Sequence, residues 1–182
     1  MEAQDPSFFD LGDNTALVCV DHQQYQKMVV PQLIDMTYKV HLGLFEEDVI
    51  LKLKTYSYNV VVVYENFKGS KPQNNPILRE LIKYPGAERR QHFVVLLSHS
   101  FATNDAMCAF VHSVDQVVNI ADLANFKPVL RRGVAQYREL YSSFNETLKS
   151  VSPSCSARSA ALPWRINTGL PRRFGKTSIS RQ

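Results

Sequence analysis

Four consecutive valines constrain the fold of this 182-residue chain more than any other feature. The segment 59–64 (NVVVVY) is β-branched and apolar, so it favours a central strand. The segments 15–20 (TALVCV) and 93–97 (FVVLL) have the same apolar character. Fully apolar strands of this kind are typical of a parallel sheet that is covered by helices on both faces.

Helical patterns alternate with these strands. After the first strand, apolar residues recur at helical spacing, at Tyr25, Met28, Val29, Leu33 and Met36. Pro31 is expected to kink this helix or restart it, because proline lacks the amide donor that a helix interior needs. The alternation in 39–45 predicts a second strand. The acids at 46–48 begin the next helix, where the helix dipole favours negative charge.

The second half of the chain continues the alternation. Asn75 followed by Pro76 predicts a capped helix start, and 84–86 (YPG) ends that helix. Thr103 or Asn104 is expected to cap a helix that extends to Val111. The segment 116–120 is the last strand, and a long helix follows from about 125 to 149.

This order of elements predicts an α/β fold. Strands that alternate with helices match a flavodoxin-like, doubly wound, five-stranded parallel sheet of order 2-1-3-4-5, here with an extended last helix. The expected organisation is an N-terminal segment 1–14, one domain over 15–149, and a basic tail 150–182. The tail is expected to be disordered, because it is rich in Ser, Arg and Pro and has few periodic apolar residues.

Charge and cysteine content narrow the function classes. The formal net charge is +4, but 151–182 holds six basic residues and no acid, so the basic character belongs to the tail. A nucleic-acid surface on the folded domain is therefore not expected.

No apolar run approaches the ~18–20 residues of a membrane span, and the N-terminus does not have the pattern of a secretory signal. Three widely separated cysteines favour a reduced, cytoplasmic protein.

Four segments in register carry a family resemblance. They are 17–22 (LVCVDH), 57–67 (SYNVVVVYENF), 92–100 (HFVVLLSHS) and 117–123 (VVNIADL). The region from Ala16 to about Tyr141 resembles the receiver domain of bacterial two-component response regulators. The resemblance implies an acidic pair after the first strand, a phosphorylated aspartate after the third, a hydroxyl after the fourth and a lysine after the fifth. In receivers the acids also hold Mg²⁺.

The chain departs from this pattern at the residues that carry out phosphoryl transfer in receivers. The resemblance places Asp21 and His22 at the acidic pair, Tyr64 at the phosphoacceptor, Ser98 at the hydroxyl, and Ile120 (or Ala121) at the lysine. Only Asp21 and Ser98 are retained. Phosphoryl transfer depends on positioning and charge neutralisation, so this pocket is interpreted as degenerate, with no catalytic residue, metal or cofactor.

Two details of the degenerate pocket follow. Glu65 is an alternative acceptor, but adjacent strand residues point to opposite faces, so a one-residue shift of register would be needed to bring it in. The Tyr64 ring is expected to fill the pocket, with its hydroxyl bonded to Asp21 or Ser98.

The last helix carries an apolar seam at heptad spacing. Its members are Leu130, Val134, Tyr137, Tyr141, Phe144 and Leu148. One interpretation is that the first half packs on the sheet and the rest frays. The other is that the far end binds a partner or a second copy, with Arg131, Arg132 and Arg138 at the rim.

These observations predict a non-catalytic pseudo-receiver that signals by phosphorylation-independent protein–protein interaction. Its expected partner is another protein or a second copy, bound through the last helix. Two alternatives stay open: a flavodoxin-like domain that binds a small anionic ligand at the carboxyl ends of the strands, and an atypical receiver that is still phosphorylated.

Overall fold

The computed structural model describes the backbone of residues 14–151, and the side chains of residues 14–142 and 146. Five strands form one sheet: β1 (Asn14–Cys19), β2 (Tyr38–Leu42), β3 (Val60–Tyr64), β4 (Phe93–Ser98) and β5 (Gln116–Asn119). All neighbouring strands run parallel, in the order β2-β1-β3-β4-β5. The predicted flavodoxin-like sheet and its strand order are confirmed.

Six helices lie within the described backbone: α1 (Gln23–Ile34), α2 (Glu46–Thr55), α3 (Pro76–Ile82), α4 (Gly86–Arg89), α5 (Ala106–Val111) and α6 (Phe126–Val151). Short 3₁₀ turns at Phe67–Gly69, Pro72–Asn74 and Ile120–Asn125 complete the connections. None of the helices in this part of the chain is long and apolar enough to cross a membrane.

The alternation along each strand divides the core into two layers. On one face, β1 and β3 side chains such as Leu17 and Val63 pack with α2, α3 and α5. On the other, residues such as Val18 and Val62 pack with α1 and the first half of α6. Both faces of β1, β3 and β4 are buried, which explains why these strands are apolar at successive positions, whereas the edge strand β2 is partly exposed and alternates.

Helix starts follow their capping residues. The Asn75 side chain accepts hydrogen bonds from the amides of Ile77 and Leu78, so the predicted cap is confirmed. The predicted cap of α5 at Thr103 or Asn104 is wrong. Asp105 caps this helix, because its carboxylate accepts the Cys108 amide at 2.9 Å.

Pro31 does not restart its helix, whereas the 84–86 segment follows the end of its helix. Pro31 lies inside α1, which runs without a break from Gln23 to Ile34. Burial of Val29 and Leu33 on either side of Pro31 holds the helix on the sheet. The 84–86 segment does end α3, but Gly86 begins the one-turn helix α4.

The seam of α6 starts on the sheet. Leu130 is fully buried, and Val134 and Tyr137 pack against the same layer. The Tyr137 ring meets Phe93 edge-on at 5.3 Å, and its hydroxyl donates to the Arg90 carbonyl at 2.7 Å. The side chains of Phe144 and Leu148 lie outside the described residues. The sheet and the helix as far as Ser142 belong to one compact unit.

Candidate functional site at the carboxyl edge of the sheet

Four polar residues, each at or just beyond the end of a different strand, form a row across the carboxyl edge of the sheet. In the strand register Cys19 is opposite Val63, Tyr64 is opposite Leu97, and Ser98 is opposite Asn119. The Glu65 amide donates to the Leu97 carbonyl at 2.9 Å, which continues the β3–β4 ladder by one residue. Counting on from these pairs gives the carboxyl-edge row, which consists of Asp21, Glu65, Ser98 and Asn119.

Glu65 is the buried acid of this row. Glu65 is only 2% exposed. One carboxylate oxygen accepts the His99 amide at 2.7 Å, and the other accepts the Ser98 hydroxyl proton. Two specific donors therefore replace the water that a carboxylate loses on burial.

The Ser98 hydroxyl has no hydrogen-bonding capacity left. While it donates to Glu65, its oxygen accepts the amides of Ser100 at 3.0 Å and Phe101 at 3.2 Å. A hydroxyl has one proton and two lone pairs, and all three are used within the domain. Glu65 and Ser98 thus fix the start of the loop that leaves β4.

Asn119 occupies the last position of the row. Its side-chain nitrogen Nδ2 donates to the Phe101 carbonyl at 2.7 Å, and its side-chain oxygen Oδ1 accepts the backbone amide of Ala121 at 2.9 Å. Ile120, which the resemblance places at the lysine, lies one residue further on. Ile120 begins the 3₁₀ turn Ile120–Asn125 and packs against the core layer that contains Val18 and Val62. The position opposite Ser98 therefore holds an amide, which carries no charge.

Tyr64 faces the other side of the sheet from Glu65. It packs in the layer of Val18, Val62 and Leu97, so its ring is buried away from Ser98. Its hydroxyl lies 3.2 Å from the Nε2 atom of His99. The expected bond to Asp21 or Ser98 is therefore not formed. Burial is the main reason that the pKa of the Tyr64 hydroxyl is raised above its ordinary value.

An aromatic cluster surrounds the Tyr64 hydroxyl. The Tyr25 hydroxyl lies 3.3 Å from the same His99 nitrogen, and the Tyr25 ring meets that of Tyr64 edge-on at 5.6 Å. His22, the residue at the second acidic position, stacks on Tyr25 at 4.2 Å. The imidazole of His22 is thus part of a ring stack on α1, on the Tyr64 side of the sheet.

Asp21 is exposed, and its carboxylate binds a backbone amide of the loop that follows β3. Its carboxylate accepts the Lys68 amide at 2.9 Å. Lys68 has a φ of 55°, in the left-handed region that a residue with a side chain rarely adopts. Asp21 therefore stabilises a strained turn in the loop that follows β3.

These residues do not fit a magnesium site. Both Glu65 oxygens and one Asp21 oxygen already accept hydrogen bonds, and His22 replaces the second acid. Among the side chains that the structure describes, no group of three or more His, Cys, Asp and Glu residues is placed to hold a metal ion. A hard divalent cation needs several free oxygen ligands, which the row does not offer.

Comparison with known proteins identifies the fold. No family model and no curated protein matches the sequence. A putative response regulator from Chloroflexus aurantiacus superposes with a TM-score of 0.56 at 10% identity, over 68% of this chain and 98% of that one. The chain has the fold of a receiver domain.

Two further structures superpose on the chain, and the first of them is a receiver domain. The receiver domain of a sensor histidine kinase from Pseudomonas aeruginosa, solved with a magnesium ion in its active-site cleft, gives a TM-score of 0.54 at 14% identity, over 68% of this chain and 99% of that one. A yeast Spc42 trimeric coiled coil fused to another structure gives 0.54 at 14% identity, over 84% and 97%. At these identities the likeness concerns the receiver fold alone.

Glu65, which the sequence analysis kept only as an alternative, and Asn119, which it missed, share one signal. Glu65 comes directly after the last residue of β3, and Asn119 is the last residue of β5. Counting from the valine run to its end at Tyr64, rather than aligning on the acceptor, would have placed Glu65 beside Ser98. His99 had no such signal, because its contacts come from α1 and β3.

Proposed function

We propose that this receiver-fold domain signals without being phosphorylated, because the Glu65 carboxylate permanently occupies the acceptor position. The observation that carries the proposal is the pairing of both Glu65 oxygens with Ser98 and His99 in a buried setting. The resemblance assigns the acceptor and the hydroxyl to the ends of the third and fourth strands. In the observed register Glu65, the residue directly after β3, lies beside Ser98, the last residue of β4.

Phosphoryl transfer at this row is disfavoured by charge. Transfer requires a free nucleophilic oxygen and cations that neutralise the developing negative charge. Both oxygens of Glu65 accept hydrogen bonds, and Asn119, which is opposite Ser98 in the register, brings an amide and not a cation. An added phosphoryl group would place about two negative charges next to Asp21 with nothing in the row to balance them.

The same contacts explain how the domain works without a switch. Glu65 ties the β4 loop to β3, and Asn119 ties that loop to the turn after β5 through the Phe101 carbonyl. These contacts hold the loop after β4 in place, which favours a constitutive binding module over a switch driven by phosphorylation.

We place the partner on α6. Leu140 is a large apolar side chain left exposed on this helix, and Tyr141 beside it is partly exposed. Arg131, Arg132 and Arg138 are also exposed, as a charged rim requires. Tyr137 contributes less than the sequence suggests, because its hydroxyl and ring are engaged with Arg90 and Phe93.

Intact-mass spectrometry tests whether the row is phosphorylated. The full chain is incubated with acetyl phosphate and Mg²⁺, and no phosphoryl group should be gained. The matched control is the triple variant His22→Asp, Glu65→Asp, Asn119→Lys, which restores the charges of a receiver and should gain one group. A phosphoryl group on the wild type that is lost in Glu65→Gln would contradict the proposal. Circular dichroism checks that each variant is folded.

Sedimentation and capture test the partner. Proteins captured by the full chain, or its self-association, should be the same with and without acetyl phosphate. The double variant Leu140→Ser, Tyr141→Ser should lose the interaction and keep its circular dichroism spectrum. If this variant captures the same proteins and sediments as the wild type does, α6 is not the interface.

A further inference from the structure

The short helix α5 exposes an unusual amount of apolar surface. Phe110 is 82% exposed, Met107 71% and Val111 66%, and their spacing of three and four residues puts them on one side of the helix. Cys108 and Ala109 on the opposite side are buried against the sheet. A contiguous apolar patch of this kind marks a docking surface.

A groove adjoins this patch. It has a volume of about 350 Å³, and its walls include Arg89, Arg90, Phe110, Tyr137 and Tyr141. We call it the α5 groove. A phenylalanine ring fits a cleft of this size, and the exposed Phe110 ring provides an aromatic partner for it.

The charges around the α5 groove are mainly positive. Two arginines and one aspartate, Asp115, line it. Arg89 and Asp115 pair with each other at 3.0 Å, and Asp115 also accepts the Val94 amide at 2.8 Å, so the two arginines and one aspartate give the lining a net charge of +1. Arg79 lines the neighbouring depression beside Val111. This surface therefore selects an occupant that combines aromatic side chains with acids.

The first 13 residues of this chain have that composition. The segment MEAQDPSFFDLGD, which lies before the described residues, contains four acids and no basic residue. Its apolar side chains include Phe8, Phe9 and Leu11. The tail 151–182 is a poor candidate by the same criterion, because its six charged residues are all basic.

The α5 groove is within reach of this segment. β1 begins at Asn14, and all strands are parallel, so the segment enters the sheet at the edge where β4 and β5 also begin. Arg89 and Arg90 precede β4, and Asp115 precedes β5, so the groove lies at that same edge. β5 is three strand spacings from β1, or roughly 14 Å. Phe8 and Phe9 precede Asn14 by six and five residues, an extended reach of roughly 17–20 Å.

We propose that residues 1–13 dock in the α5 groove of their own chain, with Phe8 and Phe9 against Phe110 and the acids toward the arginines. The docked segment covers Tyr141 and the apolar side of α5, so it competes with any partner that binds there. This inference goes beyond the proposed function and does not depend on whether Glu65 is phosphorylated.

A labelled peptide tests the docking. The probe is a fluorescein-labelled peptide of sequence 1–13, and fluorescence anisotropy reports its binding to the full-length chain. The wild type should not bind micromolar peptide, because a short tether gives the segment of the same chain an effective concentration on the order of millimolar. The double variant Phe8→Ser, Phe9→Ser vacates the groove and should bind the peptide at least about tenfold more tightly.

Further variants locate the site. In the Phe8→Ser, Phe9→Ser background, adding Phe110→Ser should abolish peptide binding. Adding Leu51→Ser, which alters a residue of similar exposure on α2, should leave binding unchanged. Arg90→Glu should weaken binding by roughly tenfold, which corresponds to about 1.4 kcal/mol, without disturbing the core. This charge variant keeps the test decisive if Phe110→Ser does not fold.

Three results would overturn the proposal. The first is that the peptide binds neither the wild type nor the double variant. The second is that binding survives both Phe110→Ser and Arg90→Glu. The third is a wild-type dimer in sedimentation velocity that Phe110→Ser dissociates and Phe8→Ser, Phe9→Ser does not, which would assign the groove to a second copy.

Discussion

The carboxylate of Glu65 accepts the hydroxyl proton of Ser98 where β3 and β4 end side by side. The pair is buried, and its remaining hydrogen bonds go to backbone amides of the loop that follows β4. A polar network of this kind rigidifies its surroundings when every member is satisfied, and it is costly when one member is removed. Two neighbouring strand ends are thus linked by a side-chain contact in addition to their ladder.

The first prediction removes one member of this pair. Ser98→Ala should lower the free energy of unfolding by about 1–3 kcal/mol, because Glu65 stays buried without one of its donors. Urea denaturation followed by circular dichroism measures the change. Ser100→Ala alters an exposed side chain two residues away and is expected to have little effect. Equal stability of Ser98→Ala and the wild type would show that Glu65 finds water instead.

The second prediction separates the ring of Tyr64 from its hydroxyl. Tyr64→Phe should cost only about 0.5–1.5 kcal/mol, since it removes one contact with the exposed imidazole of His99. Tyr64→Ala should cost about 3–5 kcal/mol, because the ring is part of the core layer of Val18 and Val62. Both values come from denaturant unfolding. Similar losses in the two variants would mean that the hydroxyl carries most of the stabilisation.

The third prediction concerns the close approach of α6 to β5. A Cβ atom at Gly133 would lie 2.5 Å from the side-chain oxygen of Gln116, which is buried. Gln116 has little room to move, because its amide nitrogen donates to Asn104 and to the Val129 carbonyl. Gly133→Ala should therefore lower the free energy of unfolding by about 1–3 kcal/mol despite the better helix propensity of alanine.

Gly86 supplies the control for this substitution. A Cβ atom there would have no neighbour closer than 3.8 Å. Gly86→Ala should be neutral or stabilising by up to about 1 kcal/mol. If both glycine variants are as stable as the wild type, α6 can shift on β5 without cost.

The fold could be predicted from the sequence because its signals are local. The apolar runs that form β1, β3 and β4 and the Asn75–Pro76 helix start are short patterns whose physics depends on neighbouring residues only. In α1 a tertiary contact overrides the local preference. Packing of Val29 and Leu33 keeps α1 continuous through Pro31, which local preference alone would interrupt.

The site was harder to predict because it depends on register. Tyr64 and Glu65 are adjacent in sequence, yet one faces the α1 layer and the other faces Ser98. A displacement of one residue exchanges these roles, so alignment on the acceptor alone does not assign them. The same displacement separates Asn119 from Ile120. The contact of the Tyr64 hydroxyl with His99 joins two residues that are 35 positions apart, which the sequence pattern does not reveal.

The last prediction concerns the pH dependence of stability through His92. This residue is buried, and its Nδ1 atom donates to the Tyr58 carbonyl at 2.7 Å. Burial is the main cause that lowers the pKa of His92 below its ordinary value of 6.5, and Arg89 adds to it. As the pH falls through about 6.5, the unfolded chain therefore binds a proton that the folded domain does not. The free energy of unfolding should decrease over that interval and level off below the lowered pKa of the folded state.

A series of urea unfolding curves between about pH 5.5 and 7.5 measures this effect. His92→Asn is the matched variant, because its side-chain amide can still donate to the Tyr58 carbonyl but does not titrate in this range. Asp115 does not mimic the effect, since burial raises the pKa of its carboxyl, which gives a slope of the opposite sign at lower pH. The slope should be smaller in His92→Asn than in the wild type. Equal slopes in the two proteins would show that another histidine is responsible.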